Sequence, residues 1–334
     1  MQAFEYTSAT KRDQVATLLN EQAAILAGGT DLLALMKDDV VAPKRLVNIK
    51  QIDGLGGISY QSGSGLRLGA LVTLAELAAN STVEQYYPVL TEAAIEAASV
   101  QIRNLATVGG NMCQRPRDWY FRNGMGLLAM RDGKSLLRQG DNRYAAILGN
   151  DGPALFVSPS TLAPVLIALG AKIRLYSAKS SGAGVRELSL EKFFVTPTKD
   201  GEREHDLKPD EMVIELVVPP PSSSLKASSY EVRQRAAFDW PLAHAAVALE
   251  IDGNTVKSAR IVLGQVAPVP WVSTEAAAAL VGKLVNDTTA MAAANAAVTN
   301  AKPLSHNKYK VTLAKAAVKR AIINAAAGRV GGAA

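Results

Sequence analysis

The hydrophobic pattern divides the chain into three stretches. In residues 1–57, Val15 to Leu19 follow helical spacing, and the apolar run Ala24-Ile25-Leu26-Ala27 stops at Gly28-Gly29, as a buried strand does on meeting a turn. Leu32, Leu33, Leu35 and Met36 mark one face of a short helix, and Leu46-Val47-Asn48-Ile49 gives a second strand, so this stretch predicts a small α/β unit. In residues 58–224, Leu66-Arg67-Leu68 reads as a strand, Thr73 and Glu76 have capping-box spacing ahead of Leu77 and Ala78, and alanine-rich Thr91–Ala98 reads as a helix. Ser160 caps a helix through Leu169, Ala171–Tyr176 alternates as a strand, and Met212–Val218 is a strand running into Pro219-Pro220-Pro221-Ser222-Ser223-Ser224. That Pro/Ser run is the clearest boundary in the sequence. In residues 225–334, strands near Ser228–Arg235, Ala243–Ile251 and Val256–Val262 precede alanine-rich helices over Thr274–Ala327, which is an α+β order. Arg115–Pro153 has weak periodicity and many Gly, Arg and Asp residues. It predicts a long loop or insertion, of a length that is usually functional inside a compact domain.

Composition narrows the class. A chain of 334 residues suits two or three domains, and 48% hydrophobic with 20% charged residues is ordinary for a folded protein. No run reaches the roughly 18 apolar residues of a membrane helix, so no membrane span is expected. The opening MQAFEYTSATKRD lacks the apolar core of an export signal. A cytoplasmic place is expected, with the periplasm as the alternative if a partner carries the signal. The single cysteine, Cys113, excludes an internal disulfide and an iron–sulfur cluster held on four thiolates of this chain. It is expected to be a small buried residue. His205, His244 and His306 are far apart in sequence, so no metal site is expected.

The net charge of +6 is modest and serves solubility. It is uneven: Ala301–Ala334 carries seven Lys or Arg and no acid. With Tyr309 as its only aromatic, that segment lacks the interleaving that nucleic-acid binding requires, so no nucleic-acid partner is expected. It reads as a solvated helix end, or else as a face that docks on an acidic partner.

Two glycine pairs carry the candidate chemistry: Ala27-Gly28-Gly29-Thr30-Asp31 and Thr107-Val108-Gly109-Gly110-Asn111. Glycine lets backbone N–H groups approach a phosphate, and Thr30, Thr107 and Asn111 add side-chain donors. The competing reading is two tight turns. Neither pair fits GxGxxG or GxxxxGK[ST], which disfavours a Rossmann site and a P-loop. There is no GxSxG and no His paired with Ser or Cys at interpretable spacing. A chain without its own acid, base or metal takes its chemistry from a cofactor, and a flavin suits.

AGGTDLLALMK at Ala27–Lys37 and QIRNLATVGGN at Gln101–Asn111 closely resemble the two FAD-pyrophosphate loops of the flavoprotein subunits of molybdenum hydroxylases, of the xanthine dehydrogenase kind. The resemblance continues in order through SPSTLAPVLIALGAKI at Ser158–Ile173, LKPDEMVIELVVPPP at Leu207–Pro221, YEVRQRAAFDWPLAHAAVAL at Tyr230–Leu249 and GQVAPVPW at Gly264–Trp271. It implies an α+β, PCMH-type (vanillyl-alcohol-oxidase-like) FAD-binding fold of two α/β subdomains. These are residues 1–57 and residues 58–224, with the insertion at 115–153. A C-terminal α+β domain like that of CO dehydrogenase flavoproteins follows at 225–334.

QRPRDWYFRNG at Gln114–Gly124 is similar to the periplasmic aldehyde oxidoreductase and 4-hydroxybenzoyl-CoA reductase branches. There the insertion holds four cysteines on a [4Fe–4S] cluster. Here their places fall at Asp118, near Leu127, at Ser135 and at Ala154, so no [4Fe–4S] cluster is expected in this chain.

The resemblance implies FAD held by Leu26, Ala27, Gly28, Gly29, Thr30, Asp31, Leu32, Ala97, Thr107, Gly109, Gly110, Asn111, Thr161, Leu207 and Arg233, with no catalytic side chain. The family usually has Asp after the serine of Ser160-Thr161, and a threonine there can still hydrogen-bond toward the ribose or adenine side. The implied partners are a molybdopterin-binding large subunit with the molybdenum cofactor, a small subunit with two [2Fe–2S] clusters, and an external electron acceptor. A free-standing FAD-dependent alcohol oxidase of the same fold is the alternative, but no His lies near either glycine loop in sequence for a covalent flavin link. A third reading, an assembly module without FAD, sits poorly with intact glycine loops.

Overall fold

The computed structural model describes residues 1–177, 184–234 and 238–331. In the first unit, strands Glu5–Ser8 and Ala23–Leu26 pair in parallel on either side of Arg45–Asn48. Parallel strands need crossovers, and helices Arg12–Leu18 and Leu32–Lys37 belong to them. Alternation along the central strand sends Val47 toward Val15 and Ile49, and Leu46 toward Leu26 and Met36, so each face has its own small core.

The second unit is an antiparallel sheet in the order Ile58–Gln61, Gly65–Gly69, Met212–Val218, Lys172–Tyr176, Val185–Ser189. Helices Leu74–Ala79, Pro88–Glu96 and Leu162–Ala168 contribute to its main core. Met212 and Ile214 join the core of the first unit instead. The capping box at Thr73 and Glu76 forms as predicted. The helix expected over Thr91–Ala98 is displaced: Pro88 sits at its first turn and it stops at Glu96. Ala98 then takes φ +53, with Arg103 donating to the carbonyls of Ala97 and Ala98 at 3.1 and 2.8 Å. A run of alanines gives no stop signal; the turn after Glu96 is held by Arg103, six and five residues beyond Ala97 and Ala98.

In the third unit, Leu225–Val232, Ala243–Asp252, Thr255–Gly264 and Trp271–Val272 form an antiparallel sheet. The last predicted residue of its first strand, Arg235, lies outside the described residues. Along Ala243–Asp252, Ala245, Val247 and Leu249 face helices Thr274–Leu280, Asp287–Ala297 and Tyr309–Ala326, whereas Ala246 and Ala248 face the core of the second unit. Both faces are buried, which explains a strand with almost no polar alternation.

Two expectations are corrected. Arg115–Pro153 is folded rather than a loop: it holds helices Trp119–Arg122 and Leu136–Gln139 and the hairpin Met130–Arg131 with Lys134–Ser135. Ala129, Leu137, Ala145 and Leu155 form a small core too widely spaced in sequence to show a period. Asp118 caps the first helix and Ser135 the second. Leu127 packs on Leu128, Ala154 and Phe156. Nor is the basic C-terminal segment only a solvated face. Lys310 is buried, and its Nζ donates to the carbonyls of Tyr144, Ala145 and Gln265 at 3.1, 3.2 and 2.7 Å. Asn307 donates to Ala145 and Ala146 from the same segment.

Candidate functional site

The three units surround one cleft of about 1330 Å³, larger than most small-molecule pockets. Both glycine segments line it. They also touch: a Cβ on Gly28 would lie 1.8 Å from the carbonyl oxygen of Leu105, so only glycine lets the first loop press against the backbone leading into the second. Gly29 adopts φ +72, which L side chains rarely take. Of the predicted site residues, all but Leu26 line the cleft. Leu26 ends its strand behind the loop, packed on Met36 and Leu46.

The two loops differ in what they offer. Among the described residues, the backbone N–H groups of Gly28, Gly29, Thr30 and Asp31 find no acceptor. In the second loop, Val108, Gly109 and Asn111 donate to the carbonyls of Val72, Ala70 and Thr107 at 2.8, 2.9 and 2.8 Å, and Gly110 donates to Thr107 Oγ1 at 3.1 Å. This pair therefore opens the helix Val108–Cys113, capped by Thr107, and its amides are spent inside the protein. Among the described residues, its free donors include the Thr107 backbone N–H and hydroxyl proton and the Asn111 Nδ2 amide, because Asn111 Oδ1 accepts from Ser160 Oγ at 2.6 Å. Ser160 Oγ also accepts from Ala163 N at 2.9 Å, which fixes the neighbouring Thr161 in the wall.

Two charged side chains from the predicted set are committed to protein partners. Arg233 lies in the wall, paired with Glu231 and with Glu96 (3.3 Å), and it donates to the Glu96 carbonyl at 2.6 Å. It thus fixes the end of helix Pro88–Glu96, where Ala97 enters the cleft. Burial pushes the Glu231 carboxyl up to about 7 against the pull of Arg233. The Asp31 carboxylate accepts from Arg115 N at 2.8 Å and pairs with Arg122 at 2.7 Å and Arg117 at 3.1 Å.

Sequence reading missed several wall residues. His205, distant from both loops in sequence, lines the same cleft, stacked on Phe193 with centroids 5.2 Å apart. Neither ring nitrogen has a partner among the described residues. Burial first, then Arg203 and Arg115, hold it well below its ordinary value, so it is neutral. Arg117, Arg203 and Trp240 also line the cleft. No local pattern announces them, because the fold brings them in from three separate segments. Cys113 packs against the central core beside the second loop, and burial pushes its thiol up to about 12, so it is not a thiolate nucleophile.

Residues 2–221 match the family model described as the FAD binding domain in molybdopterin dehydrogenase, and residues 228–325 match the CO dehydrogenase flavoprotein C-terminal domain. The chain is 32% identical over 303 residues to the aldehyde oxidoreductase FAD-binding subunit PaoB of Escherichia coli (strain K12), covering 88% of each. It is 28% identical to the carbon monoxide dehydrogenase medium chain of Hydrogenophaga pseudoflava, covering 96% of each. Among solved structures, it superposes on a chain of carbon monoxide dehydrogenase from that organism with a TM-score of 0.76 at 27% identity, over 98% of this chain and 99% of that one. It does so equally on a chain of quinoline 2-oxidoreductase from Pseudomonas putida 86, again with a TM-score of 0.76 at 27% identity, over 98% of each.

Proposed function

The chain belongs to the FAD-binding family of molybdopterin dehydrogenases, and on that premise we propose that it is the flavin-bearing, electron-transferring subunit of a heteromeric molybdenum hydroxylase. The observation that carries this reading is the cleft itself. It has room for a dinucleotide, and four unsatisfied amides at Gly28–Asp31 supply the donors a diphosphate needs. Thr107 and Asn111 add side-chain donors from the opposing loop, and Ala97, Thr161 and Leu207 complete the enclosure. These residues fit FAD.

Bound there, FAD would exchange electrons singly or in pairs, as transfer between one-electron clusters and an acceptor requires. The chain's own residues bind and orient it and restrict water. With Asp31 and Arg233 committed to protein partners, this reading gives the chain the task of holding the flavin and places the transformation of the organic substrate elsewhere. That assigns hydroxylation to a molybdopterin-binding large subunit and electron relay to a [2Fe–2S] small subunit, partners that medium-chain relatives imply. The units 1–57, 58–224 and 225–334 are the three bodies that enclose the cofactor. Among the described residues no helix is long and apolar enough to cross a membrane. The cytoplasm is the proposed compartment, with the periplasm open to a complex whose partner carries an export signal.

The free-standing alcohol oxidase is disfavoured by relatives that are subunits of larger enzymes. The test is affinity purification of the full chain from its native host. The expected result is co-purification of a molybdopterin-binding and an iron–sulfur subunit, with flavin that leaves the chain on denaturation. A lone chain whose flavin stays attached after denaturation overturns the assignment.

A further inference from the structure

The insertion places an arm in the wall of the cleft, and charged side chains hold it there. Asp31, directly after the first glycine pair, is the common acceptor. Its carboxylate takes the Arg115 amide at 2.8 Å, the Arg122 guanidinium at 2.7 Å and the Arg117 guanidinium at 3.1 Å. Arg122 also donates to the carbonyls of Pro116 and Arg115 at 2.8 and 3.0 Å, so the arm is folded around the same guanidinium. Arg115 pairs with Glu204, which lies between the cleft-lining Arg203 and His205. Arg117 lies 4.8 Å from the ring centroid of Trp240, which belongs to the third unit. One guanidinium thus spans from the first glycine loop to the segment ahead of the strand Ala243–Asp252, and Asp31, Arg115, Arg117 and Trp240 all line the cleft.

Resting on the flavin reading above, we propose that Asp31 is the latch of an arginine strap that closes over the cofactor and sets how fast it is lost. Asp31 is then a positioning residue. The charge on its side chain already has three partners, and its role toward the flavin is to hold Arg115–Arg122 in place. A half-buried carboxylate with two guanidiniums and an amide is the kind of pairing whose loss leaves uncompensated charge. Trp240 gives the strap its far anchor through a cation–π contact.

The test uses the full chain in its purified complex and follows flavin release by the recovery of free-flavin fluorescence after dilution. Asp31→Asn, Arg122→Gln and Arg117→Gln should each speed release by roughly tenfold or more, and Asp31→Asn combined with Arg122→Gln should release no faster than the worse single variant. Trp240→Leu, at the far anchor, should also speed release, and it keeps the test open if Asp31→Asn does not fold. Hydrogen exchange gives a readout that needs no flavin: the amides of Arg115–Arg122 should exchange faster in Asp31→Asn even without FAD, and adding FAD should protect them in the unaltered chain alone. Release at the unaltered rate in Asp31→Asn overturns the strap. So does fast release in Asp31→Asn with normal release in both arginine variants, because Asp31 would then act on the cofactor directly. If exchange quickens as expected but FAD is never bound, Asp31 still holds Arg115–Arg122, but the flavin reading fails and the strap's role over the cofactor fails with it.

Discussion

Gly28 is the residue on which the cleft's geometry turns. With any side chain there, the two loops collide, since the first atom would sit 1.8 Å from Leu105 O. Gly28→Val is expected to cost about 1–3 kcal/mol of stability through overpacking and to abolish flavin retention, read by thermal melting and by bound-flavin content. A buried imidazole contributes to the acid sensitivity of the fold. His244 lies in the Ala243–Asp252 strand with neither nitrogen bonded among the described residues, and burial, with Arg233 beside it, pushes it down from 6.5 to about 3. The unfolded chain therefore binds a proton that the folded chain does not, between those values. Stability should fall as pH drops through that window, by up to about 1.4 kcal/mol per unit. Denaturant melts of His244→Leu should show a flatter acid limb, and an unchanged limb would remove His244 as the cause.

At the scale of elements, the insertion is held by polar side chains rather than by its own small core. Lys310→Met would remove the Nζ donor from the carbonyls of Tyr144, Ala145 and Gln265, of which Ala145 keeps Asn307, and is expected to cost about 1–3 kcal/mol, lowering the melting temperature. Lys310→Arg, which keeps donors but not their geometry, should lose less. Limited proteolysis of Lys310→Met should cut within residues 115–153 first. Those contacts also mark where sequence reading stops. Met212–Val218 was legible to the residue, because its apolar run ends in a Pro/Ser stretch that cannot continue a strand. The capping box at Thr73 was legible because its partners are three residues apart. The insertion was not, since Asn142, Asn150 and Lys310 find partners more than 150 residues away. The glycine segments announced a cleft, yet the partners of the Asp31 carboxylate lie 84 and more residues on and carry no local signature. His205 stayed invisible for the same reason.

Over the whole molecule, the cleft exists only where the three units meet, so binding and stability are linked. FAD in hundredfold excess over its dissociation constant should stabilise the chain by about 2.7 kcal/mol. The same addition should slow hydrogen exchange at Gly28–Asp31, Ala97–Ala98 and His205–Leu207 together, although these belong to separate segments. The most direct measurement is a fluorescence titration of the flavin-free full chain with FAD. The account predicts saturable quenching at one FAD per chain that is lost in Gly28→Val and weakened in Thr107→Val. A titration with no saturable quenching, or one that Gly28→Val leaves unchanged, contradicts it.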